Sequence, residues 1–320
     1  MHSTARGPSL GGCRMWRYDD TRAGVRDALR LSRAMTFKSA AAGLPLGGGK
    51  GVIMLRAEDP PLDGARRRDA LLDFGDTVEA LGGTYVTAED VGTSDGDMTV
   101  IAERTTHVAG LAVERGGSGD PSPWTALGVE AAIRVTCEAV WGTTDLAGRT
   151  IAVIGLGHVG GALARGLAEG GASLLLADVV AEKRALADEL GAAWAEPGEA
   201  LRADVDLVAP CALGGVLDDE SVPELRCRAI AGAANNQLAT DAIAEALHAR
   251  GILWTPDFVA NAGGIINIGV ELDPGGYDPG RARERVLAVG DTVRTLLAAA
   301  VRDGVTPLAA AMALARERLA

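Results

Sequence analysis

The sequence predicts an α/β fold in two domains, and three observations lead to that prediction. The chain has 320 residues, which is more than one hydrophobic core usually serves. From Thr150 onward, short apolar segments alternate with helical ones, as expected for βαβ units in a doubly wound parallel sheet. Between the two parts, residues 116–123 form a small, polar stretch interrupted by prolines, which is typical of a domain boundary.

The first domain begins with a helical pattern over residues 20–42. Val25, Leu29, Ser32 and Met35 form its predicted buried stripe, and Gly43 follows its end. The next predicted elements are a strand over 52–55, a helix over 64–81, a strand over 84–87 and a helix that starts near Ser94.

The second domain begins with a long helical pattern. Its predicted elements are a helix over 124–141 and strands over 150–155, 173–178, 206–210 and 228–233. Residues from 278 onward indicate two helices, which we expect to pack back on the first domain. We therefore expect residues 1–122 and about 290–320 to form one domain, and residues 123–289 the other.

Composition excludes several classes of function. A formal net charge of -12 argues against a nucleic-acid partner, because that interaction needs a basic face. The four cysteines and four histidines are scattered without the spacing of a disulfide framework or a metal site. No apolar run is long enough to span a membrane, and no charged-then-apolar leader is evident. We expect a cytoplasmic protein with no metal and no membrane partner.

Lysine is rare in this chain, and its placement is informative. Among 31 basic residues only Lys38, Lys50 and Lys183 are lysines, and two of them flank the run Gly47-Gly48-Gly49. Arginine stays protonated in proteins, whereas a lysine pKa shifts readily on burial. A chain that otherwise uses arginine therefore needs a compact or titratable ammonium at these positions.

A glycine-rich loop predicts a dinucleotide site in the second domain. The buried strand over 150–154 leads directly into Gly155-Leu156-Gly157-His158-Val159-Gly160, and a predicted helix over 161–169 follows. Such glycines allow a tight turn, close approach of the pyrophosphate and packing of helix on strand. Asp178 ends the next strand, where its carboxylate can accept hydrogen bonds from ribose hydroxyls and would repel a 2′-phosphate. We expect NAD as the cofactor, in a Rossmann-type domain.

Three residues of the first domain suggest acid–base chemistry. Lys50 follows the glycine run, Lys38 lies twelve residues earlier near a helix end, and Asp90 ends a predicted strand. A lysine buried in a cleft near a second cation has a lowered pKa and can exchange protons near neutral pH. An aspartate that faces two cations stays ionised and can exchange a proton with an amine.

Several motifs in order resemble one enzyme family. They include His2-Ser3-Thr4, Met35-Thr36-Phe37-Lys38, Gly47-Gly48-Gly49-Lys50, Thr87-Ala88-Glu89-Asp90, Ser118-Gly119-Asp120-Pro121, Ala209-Pro210-Cys211-Ala212, Gly232-Ala233-Ala234-Asn235 and Asn261-Ala262-Gly263-Gly264. Over nearly the whole chain, the sequence resembles the leucine/valine/phenylalanine dehydrogenases of the glutamate dehydrogenase superfamily. The resemblance implies NAD-dependent, reversible deamination of an amino acid to its 2-oxo acid and ammonia.

The resemblance also implies roles for individual residues. Lys38 would hold the substrate carboxylate, Lys50 would activate water and stabilise charge on the Cα oxygen, and Asp90 would exchange protons with the amino nitrogen. Asn235 and Asn261 would keep substrate and nicotinamide in register. The backbone near Gly11 and Gly12 would fix the substrate. Further cofactor contacts would come from Thr125, Ala212 and Asn235.

The implied side-chain pocket is apolar. By the resemblance it includes Leu10, Gly11, Ala88, Ile265 and Ile268. Glutamate is disfavoured there because its second carboxylate would be buried without a partner. The bulk of Ala88, Ile265 and Ile268 favours a branched aliphatic side chain. Two alternatives stay open: a dehydrogenase of phenylalanine or another aromatic amino acid, and an inactive relative that binds NAD.

The resemblance also bears on assembly. It implies a homo-oligomer. In the family a further segment precedes the His-Ser-Thr motif, whereas here the motif follows Met1 directly. We therefore expect either a longer natural chain or a variant without an edge strand.

Overall fold

The computed structural model describes residues 1–56, 62 and 64–320. Within this part of the chain two compact units are present. Unit 1 comprises Met1–Pro121, Ile265–Ala282 and Ala315–Ala320, and unit 2 comprises Ser122–Gly264 and Arg283–Leu314. Each unit contains a parallel sheet with helices, so the predicted two-domain α/β class is confirmed.

The sheet of unit 1 is built around one long strand, β1 (Ser9–Tyr18). In parallel with it run β2 (Gly47–Gly48) and β3 (Gly51–Arg56) along one side and β4 (Tyr85–Glu89) along the other. The sequence interpretation missed β1, because its glycines and mostly buried residues show no alternation of polar and apolar side chains.

Three helices accompany this sheet: α1 (Thr21–Ala41), α2 (Gly64–Glu79) and α3 (Asp95–Ile101). Ser94 caps α3 in a capping box with Asp97, in agreement with the predicted helix start. The core between these helices and the sheet contains Cys13, Met15, Leu71, Met98, Ile101 and Val108.

The predicted stripe of α1 was wrong at two of its four positions, while Ser32 is buried and Met35 is half-buried. Val25 and Leu29 are exposed, whereas the buried positions are the small residues Gly24, Ser32, Thr36, Ser39, Ala40 and Ala41. The reason is steric. A Cβ atom on Gly24 would lie 2.2 Å from the sulfur of Met54, and one on Gly48 would lie 2.0 Å from the Thr36 nitrogen. Helix and sheet approach so closely that size, not hydrophobicity, selects the buried face.

Unit 2 is a doubly wound parallel sheet preceded by α4 (Ser122–Trp141). In spatial order its strands are β10 (Leu253–Trp254), β9 (Ala229–Ile230), β8 (Leu207–Pro210), β5 (Thr150–Ile154), β6 (Ser173–Ala177) and β7 (Ala193–Trp194). Its helices are α5 (His158–Glu169), α6 (Arg184–Leu190), α7 (Pro197–Leu201), α8 (Ala242–Ala249) and α9 (Asp257–Ala260). Separate apolar clusters cover the two faces of this sheet.

The C-terminal region differs from the prediction of two helices that return to the first domain. After α10 (Gly263–Glu271) come three helices, α11 (Pro279–Leu287), α12 (Val289–Asp303) and α13 (Pro307–Leu319). Residues 265–282 belong to unit 1, whereas residues 283–314 belong to unit 2. Helix α12 packs on α4 through an apolar face that includes Val293, Leu296 and Leu297, so burial of this face determines its place.

Of the residues from 290 onward, only Ala315–Ala320 lie in unit 1. Arg318 donates to the carbonyl oxygens of Ala40 and Ala41, and Arg6 donates to the carbonyl oxygens of Leu44 and Arg318. Within the described ranges, no single helix is long and apolar enough to cross a membrane. The bent pair Pro279–Asp303 and Pro307–Leu319 passes that test of length and composition when taken together.

Candidate active site

Lys50 lies in the short interruption between β2 and β3. Along β1, Leu10 is level with Gly48 and Cys13 is level with Gly51, so Gly49 and Lys50 face Gly11 and Gly12. On the other side of β1, Gly12 is level with Ala88 of β4. The register of this sheet therefore brings four of the predicted site residues, Gly11, Gly12, Lys50 and Ala88, to one level.

Asp90 directly follows β4 and forms an ion pair with Lys50. Lys50 Nζ lies 2.8 Å from Asp90 Oδ1, and the Lys50 side chain is only 5% exposed. Glycine is required between them, because a Cβ on Gly12 would lie 2.7 Å from the Cβ of Asp90. Thr93 holds the turn after Asp90: its hydroxyl donates to the carbonyl of Cys13 and accepts from the Asp90 amide. The two predicted catalytic residues thus meet over β1.

The electrostatics of this pair suit proton exchange. Burial lowers the pKa of Lys50, and the neighbouring Asp90 opposes that shift without cancelling it. Burial by itself would raise the pKa of Asp90, but Lys50 and Arg14 outweigh it, and the pKa lies below its usual range. Asp90 is therefore an ionised base, and Lys50 can give up its proton more readily than a surface lysine.

Two residues of this region were missed by sequence reasoning. Arg14 Nε donates to Asp90 Oδ2 at 2.8 Å, so Asp90 binds two cations. Tyr85 is buried, and its hydroxyl donates to the carbonyl oxygen of Gly11 at 2.6 Å, which fixes the predicted substrate-binding backbone. The sequence marks Arg14 by its position, two residues after Gly11-Gly12. That position does not reveal Asp90 as its partner, because their contact depends on the register of β1 with β4.

Five further predicted residues of the substrate site also lie in unit 1, whereas Asn235 and Asn261 lie in unit 2. Lys38 is partly buried near the C-terminal end of α1. Leu10, Ala88, Ile265 and Ile268 are all buried, two of them on the sheet and two on α10. Next to Ala88, Gly110 leaves space, since a Cβ there would lie 3.9 Å from that of Ala88. Their roles in substrate binding stay predictions.

The glycine loop of unit 2 forms a cradle between β5 and α5. Gly155 adopts a φ of +99°, and a Cβ on Gly160 would lie 1.9 Å from the Gly155 carbonyl oxygen. Around Gly157, by contrast, no described atom lies within 4 Å of a Cβ position. Helix α5 begins at His158, three residues before the predicted start, so exposed His158 and half-buried Val159 belong to its first turn. The open backbone at the positive end of a helix fits a pyrophosphate.

Asp178 and Ala212, two of the predicted cofactor contacts, border this loop. Asp178 accepts from the Leu156 amide at 2.6 Å and from the Val180 amide at 2.8 Å, so it also orients the loop. Ala212 packs on Gly155, whose Cβ would lie 2.5 Å from that of Ala212. Thr125 lies elsewhere in unit 2, on α4 next to Gly263.

Asn235 and Asn261 are in direct contact. Asn261 Nδ2 donates to Asn235 Oδ1 at 2.8 Å and to the Ala233 carbonyl at 3.0 Å. Asn261 is buried, and its Oδ1 has no hydrogen-bond donor among the described residues. A buried acceptor without a donor is costly, and a ligand amide can satisfy it. Together with the loop cradle, this acceptor fits a nicotinamide dinucleotide.

The loop that carries Asn235 depends on Gln237, which the sequence interpretation did not identify. Gln237 is fully buried; its amide donates to the carbonyls of Gly232 and Ala234, and its oxygen accepts from Trp254 Nε1. The backbone amide of Gln237 donates to Asp257 at 2.8 Å. This buried network holds Asn235 at the protein surface.

Comparison with known proteins agrees with this geometry. Residues 1–107 match the family described as "Glu/Leu/Phe/Val dehydrogenase, dimerisation domain", and residues 174–276 match "Glutamate/Leucine/Phenylalanine/Valine dehydrogenase". A leucine dehydrogenase of Bacillus cereus is 44% identical over 100% of this chain and 86% of its own length. A valine dehydrogenase of Streptomyces virginiae is 43% identical over 100% of this chain and 88% of its length.

A solved structure gives the same result. The L-tryptophan dehydrogenase from Nostoc punctiforme superposes with a TM-score of 0.87 at 38% sequence identity, covering 100% of this chain and 90% of that one. The chain therefore belongs to the glutamate/leucine/phenylalanine/valine dehydrogenase family, as its motifs predicted, and is an amino acid dehydrogenase that uses a nicotinamide cofactor.

Proposed function

We propose that this enzyme catalyses the reversible, NAD-dependent oxidative deamination of a branched-chain L-amino acid to its 2-oxo acid and ammonia. The observation that carries the proposal is the buried pair of Lys50 and Asp90, 2.8 Å apart, in a chain whose relatives include leucine and valine dehydrogenases.

Asp90 acts first in the proposed reaction. Its ionised carboxylate takes a proton from the substrate ammonium group, which leaves a neutral amine at Cα. Acceptance of the hydride from Cα is the chemistry that the nicotinamide ring supplies when it is bound. The substrate is then an imino acid, and Lys38 holds its carboxylate throughout.

Lys50 acts in the hydrolytic half of the reaction. Its lowered pKa lets the neutral amine take a proton from water as that water attacks Cα. The resulting ammonium then stabilises negative charge that develops on the Cα oxygen. Asp90 returns its proton to the amino nitrogen, and the C–N bond breaks as ammonia leaves. The Cα hydroxyl then gives its remaining proton to the ionised Asp90 carboxylate, which leaves the 2-oxo acid, and the protons on Lys50 and Asp90 pass to solvent.

The preference for NAD over NADP rests on Asp178. Asp178 directly follows β6 beside the glycine loop, and a 2′-phosphate at that place would meet the like charge of its carboxylate. The two oxygens of the Asp178 carboxylate accept from two backbone amides, and they can accept further hydrogen bonds from ribose hydroxyls.

The preference for a branched aliphatic side chain rests on apolar residues. Leu10, Ala88, Ile265 and Ile268 carry no charge that could pair with a second substrate carboxylate, so glutamate is disfavoured. An aromatic substrate is the second candidate, because a tryptophan dehydrogenase is 38% identical over the whole chain and Gly110 leaves space beside Ala88.

We also propose a homo-oligomer in the cytoplasm. The family description of residues 1–107 as a dimerisation domain supports the first part. Cys13, Cys137, Cys211 and Cys227 are free thiols, which supports a reducing compartment.

The test is a specificity profile at alkaline pH. Purified protein is assayed with leucine, isoleucine, valine, phenylalanine, tryptophan and glutamate, with NAD and NADP side by side, following reduced nicotinamide and ammonia. The proposal expects the highest kcat/KM for a branched-chain substrate with NAD. A higher kcat/KM for phenylalanine or tryptophan would replace it with the second candidate. NAD binding without turnover of any substrate would indicate an inactive relative.

A further inference from the structure

Arg14 of β1 bridges two carboxylates of unit 1. Its Nε donates to Asp90 Oδ2 at 2.8 Å, and its Nη1 donates to Asp27 Oδ2 at 3.0 Å. The side chain is 20% exposed. The planar guanidinium can bind two anions at fixed directions, which an ammonium cannot do.

The far end of this bridge is itself anchored. Asp27 lies on α1 and also accepts from the Tyr18 hydroxyl at 2.7 Å and from Arg30 at 2.8 Å. Both carboxylate oxygens of Asp27 are thereby occupied. Arg14 consequently has a second attachment, on the side away from Asp90.

The near end of the bridge determines the orientation of Asp90. Lys50 forms an ion pair with Oδ1 of Asp90, and Arg14 forms one with Oδ2, so each carboxylate oxygen of Asp90 has one cationic partner. When Lys50 exchanges its proton with water, Asp90 loses one of its two charged partners. Arg14 stays protonated throughout, and it is the partner that holds the carboxylate in place at that moment.

We propose that Arg14 is a positioning residue for the deamination reaction, which keeps Asp90 oriented and ionised while Lys50 changes its protonation state. The inference rests on the proposed function of the Lys50–Asp90 pair and deepens it. In this role Arg14 acts through its contact with Asp90.

The charges around Asp90 support this role. The titratable groups that interact with Lys50 or Asp90 are Arg14 and Cys13 on β1 and Tyr85 and Glu89 on β4. Asp97 on α3 and its ion-pair partner Arg67 on α2 act on Cys13, next to the pair. Arg14 lowers the pKa of both Asp90 and Lys50. Its removal therefore raises both pKa values.

A purely structural role predicts a different result. Asp27 and Lys38 lie on the same helix, α1, so loss of an anchoring contact would displace the residue proposed to hold the substrate carboxylate. That loss raises KM for the amino acid. The positioning role instead lowers kcat and shifts the acidic limb of kcat/KM to higher pH.

The experiment compares Arg14→Gln, Arg14→Lys and the double variant Arg14→Gln/Asp27→Asn with the wild-type enzyme. The double variant removes both partners, so neither is left as an unpaired charge and folding is favoured. Arg68→Gln is the matched control, since it removes an exposed arginine of unit 1 that pairs with Glu103. Circular dichroism and NAD binding check the fold, and kcat and kcat/KM are measured across pH.

The positioning role expects both glutamine variants to lose about ten-fold more kcat/KM at the acidic end than on the alkaline plateau. Arg14→Lys keeps a cation but cannot bridge the two carboxylates, so we expect it to retain the wild-type pH profile with a lower kcat, and Arg68→Gln to match wild type throughout. An unshifted profile in a folded glutamine variant, or a change in KM alone, overturns the inference. Turnover of a branched-chain amino acid by the wild-type enzyme tests the proposed function, independently of the Arg14 variants.

Discussion

Gly12 and Asp90 lie so close that no side chain larger than hydrogen fits between them. A Cβ on Gly12 would lie 2.7 Å from the Cβ of Asp90 and 2.4 Å from the Glu89 carbonyl oxygen. The Cβ atom belongs to Asp90, the proposed base, and the carbonyl oxygen belongs to Glu89, the residue directly before it. The glycine is therefore part of the geometry that brings Asp90 to Lys50.

Gly12→Ala is expected to displace Asp90 and to lower kcat by at least about 100-fold, because misplacement of a reacting group by 1 Å has that effect. The variant should also melt at a lower temperature, since the backbone of β4 has to shift. Kinetic assays and thermal melts give the two readouts. Gly64→Ala is the control, as no described atom lies within 4 Å of its Cβ position. Equal kcat in the two variants would contradict the proposed role of this contact.

Lys50→Ala is expected to lower kcat by about 100- to 10,000-fold, the usual range for loss of a general acid–base group. NAD binding should be nearly unchanged, because the glycine loop lies in unit 2 and Asp90 keeps Arg14 as a partner. Lys50→Arg should not restore activity, since a guanidinium does not release its proton. Fluorescence titration with NAD and steady-state kinetics measure both effects. Near wild-type kcat in either variant would remove Lys50 from the mechanism.

Lys38→Ala is expected to raise KM for the amino acid more than it lowers kcat. The proposed partner of Lys38 is the substrate carboxylate, which is charged in substrate and transition state alike, so its loss weakens binding in both. The matched comparison is Lys183→Ala, which removes the lysine of unit 2. Michaelis–Menten curves for both variants test this. A large fall in kcat with an unchanged KM would assign Lys38 a different role.

Glu271 fixes the segment that joins β4 to α4. Its Oε1 accepts from the amides of Gly110 at 2.9 Å and Ser118 at 2.8 Å, and from the Ser118 hydroxyl. Burial raises the pKa of Glu271. Because the pKa of this carboxyl is higher in the folded state than in the unfolded state, its ionisation at rising pH lowers the free energy of unfolding. At low pH the carboxyl is protonated in both states, and this loss of stability is absent.

Glu271→Gln keeps the accepting oxygen and removes the buried charge, so its Tm at neutral pH should equal or exceed that of the wild type. This difference should shrink as the pH falls and the wild-type carboxyl becomes protonated. Glu271→Ala should instead lower the free energy of unfolding by about 1–3 kcal/mol for each amide left unsatisfied. Thermal and denaturant melts across pH measure both. A Gln variant as unstable as the Ala variant would show that the charge itself is needed.

Much of this protein could be predicted from sequence, because the signals are local. The strand, glycine loop, helix and Asp178 of unit 2 follow one another within about 30 residues, the span of one βαβ unit. Lys50 was identified because lysine is rare here and follows three glycines, and Asp90 because it ends a strand. Each of these residues is marked by its immediate neighbours in the chain.

Tertiary structure alone decided which distant residues meet. Arg14 and Asp90 are 76 positions apart, and only the parallel register of β1 with β4 brings them into contact. The buried face of α1 and the place of α12 were likewise set by packing, through small side chains in one case and an apolar face in the other. Sequence patterns report what each segment prefers, whereas register and steric fit depend on the partner that the segment packs against.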